Sequence, residues 1–381
     1  MDKTRRLGWL IALPMLMLAS LAQADWGQLN MTEGVTSISR QVYDLHMYIT
    51  WICVIIAVPV FGAMFFSMFM HRKSLGAQPA SFHENTRLEI AWTLIPTLIL
   101  IAIGWPATKV LIDMYEAGEP DVNIEVRGYQ WKWQYTYLAD NPAEEVQFMS
   151  SLLTSQDEIY NRTSKGEFYL LDVDNPLVVP INKRIRFLVT SSDVIHSWWV
   201  PAFAVKKDAI PGFVHEAWTI IDEPGIYRGQ CAELCGKDHG FMPVVVRAVE
   251  QSEYDAWLSE QQSAARAASE ASGKVWTMDE LMAKGEEVYN RNCGMCHMPN
   301  GTGMPPAFPS LINSPLIQGD VAGHADIVIN GKAGTAMQAF GAQLNPAELA
   351  AVITYERNAW GNNRGDMIQP SEVMEMMSAG Q

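Results

Sequence analysis

The segment that decides the fold reads C-A-E-L-C-G-K-D-H-G-F-M and runs from Cys231 to Met242. Its two thiols, one imidazole and one thioether are soft or intermediate ligands of the kind that copper prefers. A second imidazole, His196, lies 35 residues before Cys231, at the end of a predicted strand. A mononuclear blue-copper site needs two His, one Cys and a weak axial Met. That set is available here without Cys231: His196, Cys235, His239 and Met242.

The surplus thiol of Cys231 predicts a site with two copper ions. Both sulfurs can bridge the pair, and each ion then keeps one His and one weak axial ligand, Met242 on one side and the backbone carbonyl of Glu233 on the other. No position is left open for a substrate, so the pattern favours electron transfer. A Cys231–Cys235 disulfide and a zinc site are the alternatives. Met is a poor zinc ligand and structural zinc prefers four Cys or His ligands, so copper is favoured.

The ligand segment closes a region of short predicted strands. Runs rich in β-branched and aromatic residues occur at Val122–Val126, Gln130–Tyr137, Phe168–Leu171, Leu177–Val179, Arg184–Thr190, Glu216–Ile221 and Val244–Val249. Turn signals rich in Asp, Asn, Pro and Gly separate them. This spacing predicts an all-β sandwich or barrel over residues 113–250. Residues 149–166 are more polar and are expected to form an excursion.

Two apolar segments precede the β region. Residues 49–70 and 90–111 contain 22 residues each, which as helix is about 33 Å and spans a bilayer. The charged fraction of 18% is below the roughly 25% of soluble domains and agrees with membrane spans. We predict a transmembrane helical hairpin within residues 40–112. Its loop is basic, with Arg72 and Lys73 at the start, and the positive-inside rule places that loop in the cytoplasm.

Residues 1–24 are predicted to be a secretory signal peptide. Lys3, Arg5 and Arg6 precede an apolar run, and Ala22-Gln23-Ala24 offers small residues for cleavage. A first membrane span is the alternative, but the run of about 15 residues is shorter than the ~20 needed to cross a bilayer. Signal and hairpin together predict a protein of the bacterial inner membrane with its later domains in the periplasm.

A five-residue motif, Cys293-Gly294-Met295-Cys296-His297, lies beyond the β region. C-x-x-C-H is the attachment sequence of a c-type haem. Two Cys one helical turn apart can form thioether links, and His297 can bind the iron. A disulfide is the alternative, but redox C-x-x-C motifs belong near βαβ patterns. We predict a linker over residues 251–277, partly helical, and a flexible tail over residues 363–381.

Several residues compete to bind the other face of the haem iron. A thioether opposite His raises the reduction potential and leaves no site for oxygen. Met337, 40 residues after His297, is the predicted ligand, with Met304 second and His324 as a bis-imidazole alternative. Helical patterns around this motif predict a small all-α unit over residues 278–362.

With these motifs the chain resembles subunit II of the haem–copper cytochrome c oxidases, which carries a binuclear CuA centre. The resemblance covers about residues 40–250 and includes Glu89-Ile90-Ala91-Trp92-Thr93, Gly128-Tyr129-Gln130-Trp131-Lys132-Trp133 and Asp208-Ala209-Ile210-Pro211-Gly212. Residues 278–362 resemble small bacterial cytochromes c. The resemblances imply three parts: a two-helix transmembrane hairpin, an all-β cupredoxin-like barrel and a small all-α cytochrome c domain.

The resemblance to subunit II also implies roles for three residues. Glu233 gives its backbone oxygen to copper and its carboxylate to a magnesium ion shared with subunit I. Trp131 is the residue through which electrons enter. The alternative is that Trp131 is an ordinary strand aromatic that fills the core. Glu89 lies at the mouth of a proton-uptake path in subunit I, although a carboxylate near a helix end can also simply reach interfacial water.

The implied function is that of the subunit through which electrons enter a respiratory cytochrome c oxidase. Electrons would pass from a soluble cytochrome c or similar donor to the haem, then to CuA and to subunit I, where oxygen becomes water; subunit III is a further expected partner. A stand-alone membrane-anchored electron carrier is the alternative. A nitrous-oxide-reductase-like enzyme needs a His-rich cluster that eight His cannot supply, and a quinol oxidase subunit would lack the Cys pair. The net charge of −15 disfavours nucleic-acid binding.

Overall fold

The computed structural model describes residues 30–78, 83–116, 118–332, 335–341 and 343–379. The predicted signal peptide therefore lies outside the described residues.

The hairpin consists of helices α1 (Ser37–Met70) and α2 (Thr86–Tyr115). Both are long and apolar enough to cross a membrane, and no residue in the most apolar stretch of either helix is buried inside the protein. Their large apolar side chains face outward, as lipid or neighbouring subunits require. Each helix extends beyond the predicted span, because its polar outer turns continue past the thickness of the hydrocarbon layer.

Both outer ends of the hairpin are attached to the β domain. Thr36 caps α1 in a reciprocal capping box with Ser39. The Thr36 hydroxyl also donates to the Phe203 carbonyl at 3.4 Å. At the end of α2, the Trp218 indole N–H donates to the Met114 carbonyl at 3.0 Å. These contacts fix where the β domain lies relative to the ends of the helices.

The β domain contains two five-stranded sheets. Its strands are β1 (Val122–Tyr129), β2 (Lys132–Tyr137), β3 (Val146–Ser150), β4 (Leu177–Pro180), β5 (Ile185–Ser191), β6 (His196–Val200), β7 (Val205–Ala209), β8 (His215–Thr219), β9 (Gly225–Cys231) and β10 (Pro243–Val249). The strand orders are β3-β2-β1-β5-β8 and β4-β10-β9-β6-β7. β1 runs parallel to β5 and β4 to β10, whereas the other pairs are antiparallel. An apolar core shared by both sheets makes this the expected cupredoxin-like domain.

Two expectations within the β domain are wrong. Phe168–Leu171 forms turns rather than a strand, because Leu170 has a left-handed backbone (φ 60°) and its N–H donates to the Thr154 hydroxyl instead of a ladder partner. The predicted excursion begins too early, since Met149 still pairs with Gln134 in the sheet. Beyond β3 the excursion contains the short helix α3 (Gln156–Ile159).

The predicted linker is one helix, α4 (Gln251–Gly273). Its first turns belong to the β domain, because the rings of Tyr254 and Trp257 lie 6.4 and 5.1 Å from that of Tyr137. The Ala- and Ser-rich remainder of the helix extends toward the C-terminal domain, so the connection is more regular than the sequence indicated.

The C-terminal domain is all-α. Its helices are α5 (Met278–Asn292), α6 (Gly294–His297), α7 (Pro315–Gln318), α8 (Val321–Asn330), α9 (Pro346–Asn358) and α10 (Pro370–Ala379). Helices α5 and α9 cross closely at Gly285, where a Cβ would lie 2.2 Å from the Ala351 carbonyl oxygen. The expected flexible tail is wrong in its later part. Val373 of α10 is fully buried beside Ile368, because apolar side chains at helical spacing pack onto the domain.

Candidate metal centres

The first candidate centre lies at one end of the second sheet. Residues 231–242, the ligand loop, connect β9 to β10. His196 begins β6, and β6 pairs with β9 so that Trp198 faces Cys231. This register brings His196 to the loop across 35 residues of sequence. Gly128 of β1 leaves room for the imidazole, since a Cβ there would lie 2.7 Å from the His196 ring.

The two loop sulfurs are close but unbonded. Cys231 Sγ and Cys235 Sγ are 3.8 Å apart and both thiols are buried, whereas a disulfide requires about 2.05 Å. Cys231 Sγ lies 4.0 Å from His196 Nδ1 and 3.4 Å from the Glu233 carbonyl oxygen. The ligand atoms of His196 and both Cys lie within 4.8 Å of one another.

The second sulfur has matching neighbours on its own side. Cys235 Sγ lies 3.4 Å from His239 Nδ1 and 3.5 Å from Met242 Sδ. Met242 is 1% exposed. The structure thus gathers all six groups that the sequence singled out, and it gives each sulfur one imidazole nitrogen and one weak ligand.

Asp193 orients the imidazole of His196. Its Oδ1 lies 2.8 Å from His196 Nε2, and a carboxylate only accepts, so Nε2 carries the proton and the Nδ1 lone pair faces the sulfurs. Asp193 is itself held by the Gln130 backbone N–H, which donates to its Oδ2 at 2.7 Å. Sequence reasoning missed Asp193; its position three residues before His196 was the available signal.

The electrostatics of the sulfur pair favour a bound cation. The hydrogen bond with Cys235 lowers the pKa of Cys231, whereas the same contact, followed by burial, raises the pKa of Cys235. Two buried sulfurs at this distance lose both protons only when positive charge lies between them. Two thiolates, two imidazole nitrogens and a thioether form a donor set that fits a soft metal such as copper.

Trp131 lies in the turn between β1 and β2 rather than inside the strand predicted over Gln130–Tyr137. Its indole N–H donates to the Cys235 carbonyl at 3.2 Å, and the Gln130 side-chain N–H donates to the same oxygen at 2.8 Å. Trp131 is partly buried and packs against the domain core. It is therefore in direct contact with the ligand loop.

The second candidate centre lies at the junction of α5 and α6. Cys293 directly follows α5. The N–H groups of Cys296 and His297 donate to its carbonyl, which places the two thiols one helical turn apart. His297 Nδ1 lies 2.9 Å from the Pro309 carbonyl oxygen. Because a carbonyl only accepts, Nδ1 carries the proton and Nε2 is free to bind iron. This arrangement fits the attachment of a c-type haem.

The three candidates for the other iron face have different surroundings. Met337 packs, partly buried, on the core cluster that contains Cys293. Met304 lies in the loop on the His297 side, next to Gly303, whose N–H donates to the His297 carbonyl. His324 is buried, and its Nε2 lies 2.9 Å from Glu356 Oε2.

The carboxylates of Glu233 and Glu89 are both exposed. Glu233 turns its carbonyl toward Cys231 and leaves its side chain at the protein surface. Glu89 lies in the first turn of α2, where its carboxylate accepts from the Asn85 N–H at 3.4 Å. An acidic side chain is favourable at that end of a helix.

The C-terminal domain lies against the start of β2 and the ligand loop of the β domain. The Lys132 ammonium is 5.0 Å from the centre of the Phe340 ring, and that of Lys237 is 4.9 Å from the Phe308 ring. Lys132 is 7% exposed. Burial lowers its pKa to about 8, since the charged form loses its hydration.

Models of three protein families match this chain. The transmembrane domain of cytochrome c oxidase subunit II matches residues 24–110, and its periplasmic domain matches residues 122–249. Subunit III of the cbb3-type cytochrome c oxidase matches residues 280–355.

Two relatives agree with these matches, and one solved structure is similar to part of the chain. Cytochrome c oxidase subunit 2 of Cereibacter sphaeroides is 38% identical over 241 residues, covering 60% of this chain and 78% of the relative. The probable subunit 2 of Rickettsia bellii is 36% identical, covering 62% of this chain and 86% of the relative. The solved periplasmic domain of subunit II of Bradyrhizobium japonicum cytochrome oxidase is 41% identical, with a TM-score of 0.34, and covers 39% of this chain and 97% of that one.

The hairpin, the cupredoxin-like domain and the C-x-x-C-H domain together define a membrane-anchored electron-transfer protein with two spans. The chain belongs to the cytochrome c oxidase subunit II family and carries, in addition, a C-terminal cytochrome c domain. It is the subunit through which electrons enter an oxidase complex, so the resemblance inferred from sequence is confirmed. Copper and haem are the cofactors that these families imply.

Proposed function

We propose that electrons from a soluble cytochrome c or a similar donor enter this chain at the C-terminal domain, cross to the ligand loop and leave to subunit I. One observation carries the proposal: two unbonded sulfurs 3.8 Å apart, each beside one imidazole and one weak ligand. A copper pair and a haem, when bound, supply one-electron carriers. The protein supplies the ligands and the position of each carrier, and the burial of Cys231, Cys235 and Met242 limits the access of water to their sulfurs.

Six groups would hold two copper ions as a CuA centre. Cys231 and Cys235 would bridge both ions, and His196 and His239 would bind one each through Nδ1. The remaining weak ligands would be the Glu233 carbonyl oxygen and the Met242 thioether. The distances around each sulfur support this division. A closed set of this kind leaves no position for a substrate.

Four side chains would hold the haem. Cys293 and Cys296 would form the thioether links, and His297 Nε2 would bind the iron. The tautomer fixed by the Pro309 carbonyl supports that role. Met337 would bind the opposite face, because it packs on the same cluster as Cys293, whereas His324 is engaged by Glu356.

Trp131 would be the residue through which electrons reach the copper pair. Its indole contacts the Cys235 carbonyl, which supports that role. Glu233 would offer its exposed carboxylate to a magnesium ion shared with subunit I, and Glu89 would lie at the start of a proton-uptake path in that subunit. Subunit III is a further proposed partner. We place the protein in the bacterial inner membrane with both outer domains in the periplasm, because the loop between α1 and α2 is basic.

Metal analysis of the complex purified in mild detergent tests this function. We expect two copper ions and one covalent haem per chain, together with a larger haem-bearing subunit I. Copper without any larger subunit would favour the stand-alone carrier. A Cys231–Cys235 disulfide in a copper-supplied sample would remove the proposed centre.

A further inference from the structure

The C-terminal domain and the β domain make a polar contact next to both candidate centres. The Gln338 side-chain N–H donates to the Gln130 carbonyl oxygen at 2.6 Å. Gln338 directly follows Met337, and Gln130 directly precedes Trp131. The contact joins residues that are 208 positions apart.

A second hydrogen bond continues from this contact into the ligand loop. The side-chain N–H of Gln130 donates to the Cys235 carbonyl at 2.8 Å. Two hydrogen bonds therefore link the side chain of Gln338 to the backbone of Cys235 through a single intervening residue, Gln130. Gly236 leaves room for this link, because a Cβ there would lie 2.9 Å from Gln130 Nε2.

The amide of Gln338 is held in the orientation that this link needs. Gln343, which is 9% exposed, donates from Nε2 to Gln338 Oε1 at 3.0 Å. Because the Gln338 oxygen accepts from Gln343, its nitrogen is the atom that faces Gln130. Near this contact in sequence, the Lys132 ammonium lies over the Phe340 ring across the same two domains, and both side chains are buried.

We propose that Gln338 and Gln130 form a hydrogen-bonded bridge that positions the C-terminal domain on the ligand loop and couples the two centres electronically. This proposal rests on the proposed function. One electron leaves the carrier held at His297, which is oxidised, and reduces the pair held at Cys231 and Cys235; no bond or proton is exchanged. The bridge reaches the same carbonyl as the Trp131 indole, so it gives the attached domain its own route beside Trp131.

Two variants separate docking from coupling. Gln338→Leu keeps the side-chain volume but removes the interdomain hydrogen bond. Loss of one hydrogen bond is expected to lower the docked-to-undocked ratio about fivefold. Gln130→Leu keeps the backbone carbonyl that accepts from Gln338 and removes only the link to Cys235. It should slow transfer while the domains stay docked.

The readouts are hydrogen exchange at residues 129–133 in the full complex and the haem-to-copper transfer rate after flash reduction. Gln338→Leu should raise hydrogen exchange at these residues. It should also slow transfer by a larger factor than the fall in the docked fraction, because it removes the coupling contact as well. Gln130→Leu should slow transfer with exchange and both absorption spectra unchanged. In the double variant the effects on transfer should be less than additive, because both changes cut one path.

Gln262→Ala is the matched control. The Gln262 side chain also donates to a β-domain carbonyl, that of Glu144 at 3.1 Å, but far along the chain from the ligand loop, so transfer should keep its normal rate. Normal transfer in both Gln338→Leu and Gln130→Leu would overturn the bridge. Absence of transfer in the unaltered complex would instead overturn the proposed function.

Discussion

The first candidate centre takes five of its six groups from the twelve consecutive residues of the ligand loop, whereas the C-terminal domain takes its two axial candidates from positions 40 residues apart. In the loop, each sulfur already lies within 4.0 Å of an imidazole nitrogen. In the C-terminal domain, a carbonyl hydrogen bond orients His297, while packing on the core positions Met337.

This difference predicts how each centre responds to the loss of one ligand. The proposed copper centre would share both loop sulfurs between two ions, so one change there should affect the whole centre. The proposed haem would be held by Cys293, Cys296 and His297, so a change at its remaining ligand should alter one face and leave the attachment intact.

Cys231→Ser should have the largest effect. Serine cannot bridge two copper ions, so we expect copper to fall from two ions per chain to one or none, while covalent haem stays at one. Metal analysis and the absorption spectrum measure both. Cys53→Ser, in α1, is the control and should retain both ions. An unchanged copper count in Cys231→Ser would mean that this thiol is not a bridging ligand.

Met337→Ala should change the C-terminal domain alone. Without the thioether, the haem potential should fall by roughly 0.1 V or more, within the about 0.8 V range that axial ligands span. The iron should also begin to bind carbon monoxide. Redox titration and carbon monoxide difference spectra measure these changes. Met304→Ala should show neither, and the reverse outcome would assign the ligand to Met304.

Asp193→Asn should weaken the copper centre without abolishing it. The amide no longer fixes the proton on His196 Nε2, so the lone pair of Nδ1 is less available to the metal. Loss of such an orienting partner costs about 10- to 100-fold in metal affinity. Competition with a copper chelator measures the loss. Asp157→Asn, which removes only a surface ion pair with Arg162, should leave copper affinity intact.

Only part of the candidate site could be predicted from the sequence. Ligands that are close in sequence, such as Cys231 to Met242 and Cys293 to His297, form a pattern whose chemistry can be read directly. Asp193 lies three residues before His196, but only the folded structure shows that its carboxylate contacts the imidazole. The Gln338–Gln130 contact forms only when two domains meet, and no pattern within one segment marks it.

The same limit applies to the fold. Strand β9 was not predicted because Gly225 and Gly229 interrupt its pattern of β-branched residues. In the structure, Gly229 is required by close packing, since a Cβ there would lie 1.8 Å from the Trp199 carbonyl oxygen. Helix α10 was not predicted because its Met-rich sequence is typical of a loosely ordered tail. Only the folded domain shows that Val373 packs into the core.

Trp131→Phe should slow transfer between the two regions several-fold and leave both spectra unchanged. Phenylalanine keeps an aromatic ring, although a smaller one, and loses the N–H that donates to the Cys235 carbonyl. Flash reduction of the haem, followed at the copper absorption band, gives the rate. Trp218→Phe removes a similar indole contact, to Met114, and should have no effect. An unaltered rate in Trp131→Phe would place this residue off the route.

Lys132→Met should give the smallest effect, and it tests whether the two regions fold as one unit. Folding buries the Lys132 ammonium and lowers its pKa from 10.5 to about 8. Of the charged groups that face it, Arg291 lowers this pKa further and Asp174 raises it. The unfolded chain therefore binds more protons between about pH 8 and pH 10.5, and stability contributed at this site rises with pH across that window.

The Lys132→Met variant lacks the charge, so it should be more thermostable than the unaltered protein at pH 7, and this advantage should shrink as the pH rises toward 10. At roughly 2–4 °C per kcal/mol, the difference at pH 7 should be a few degrees. Thermal unfolding of the detergent-solubilised complex, followed by haem absorption, measures it. Lys165→Met is the control, because Lys165 is exposed on the excursion. A constant difference between Lys132→Met and the unaltered protein at every pH would show that the C-terminal domain does not bury this lysine.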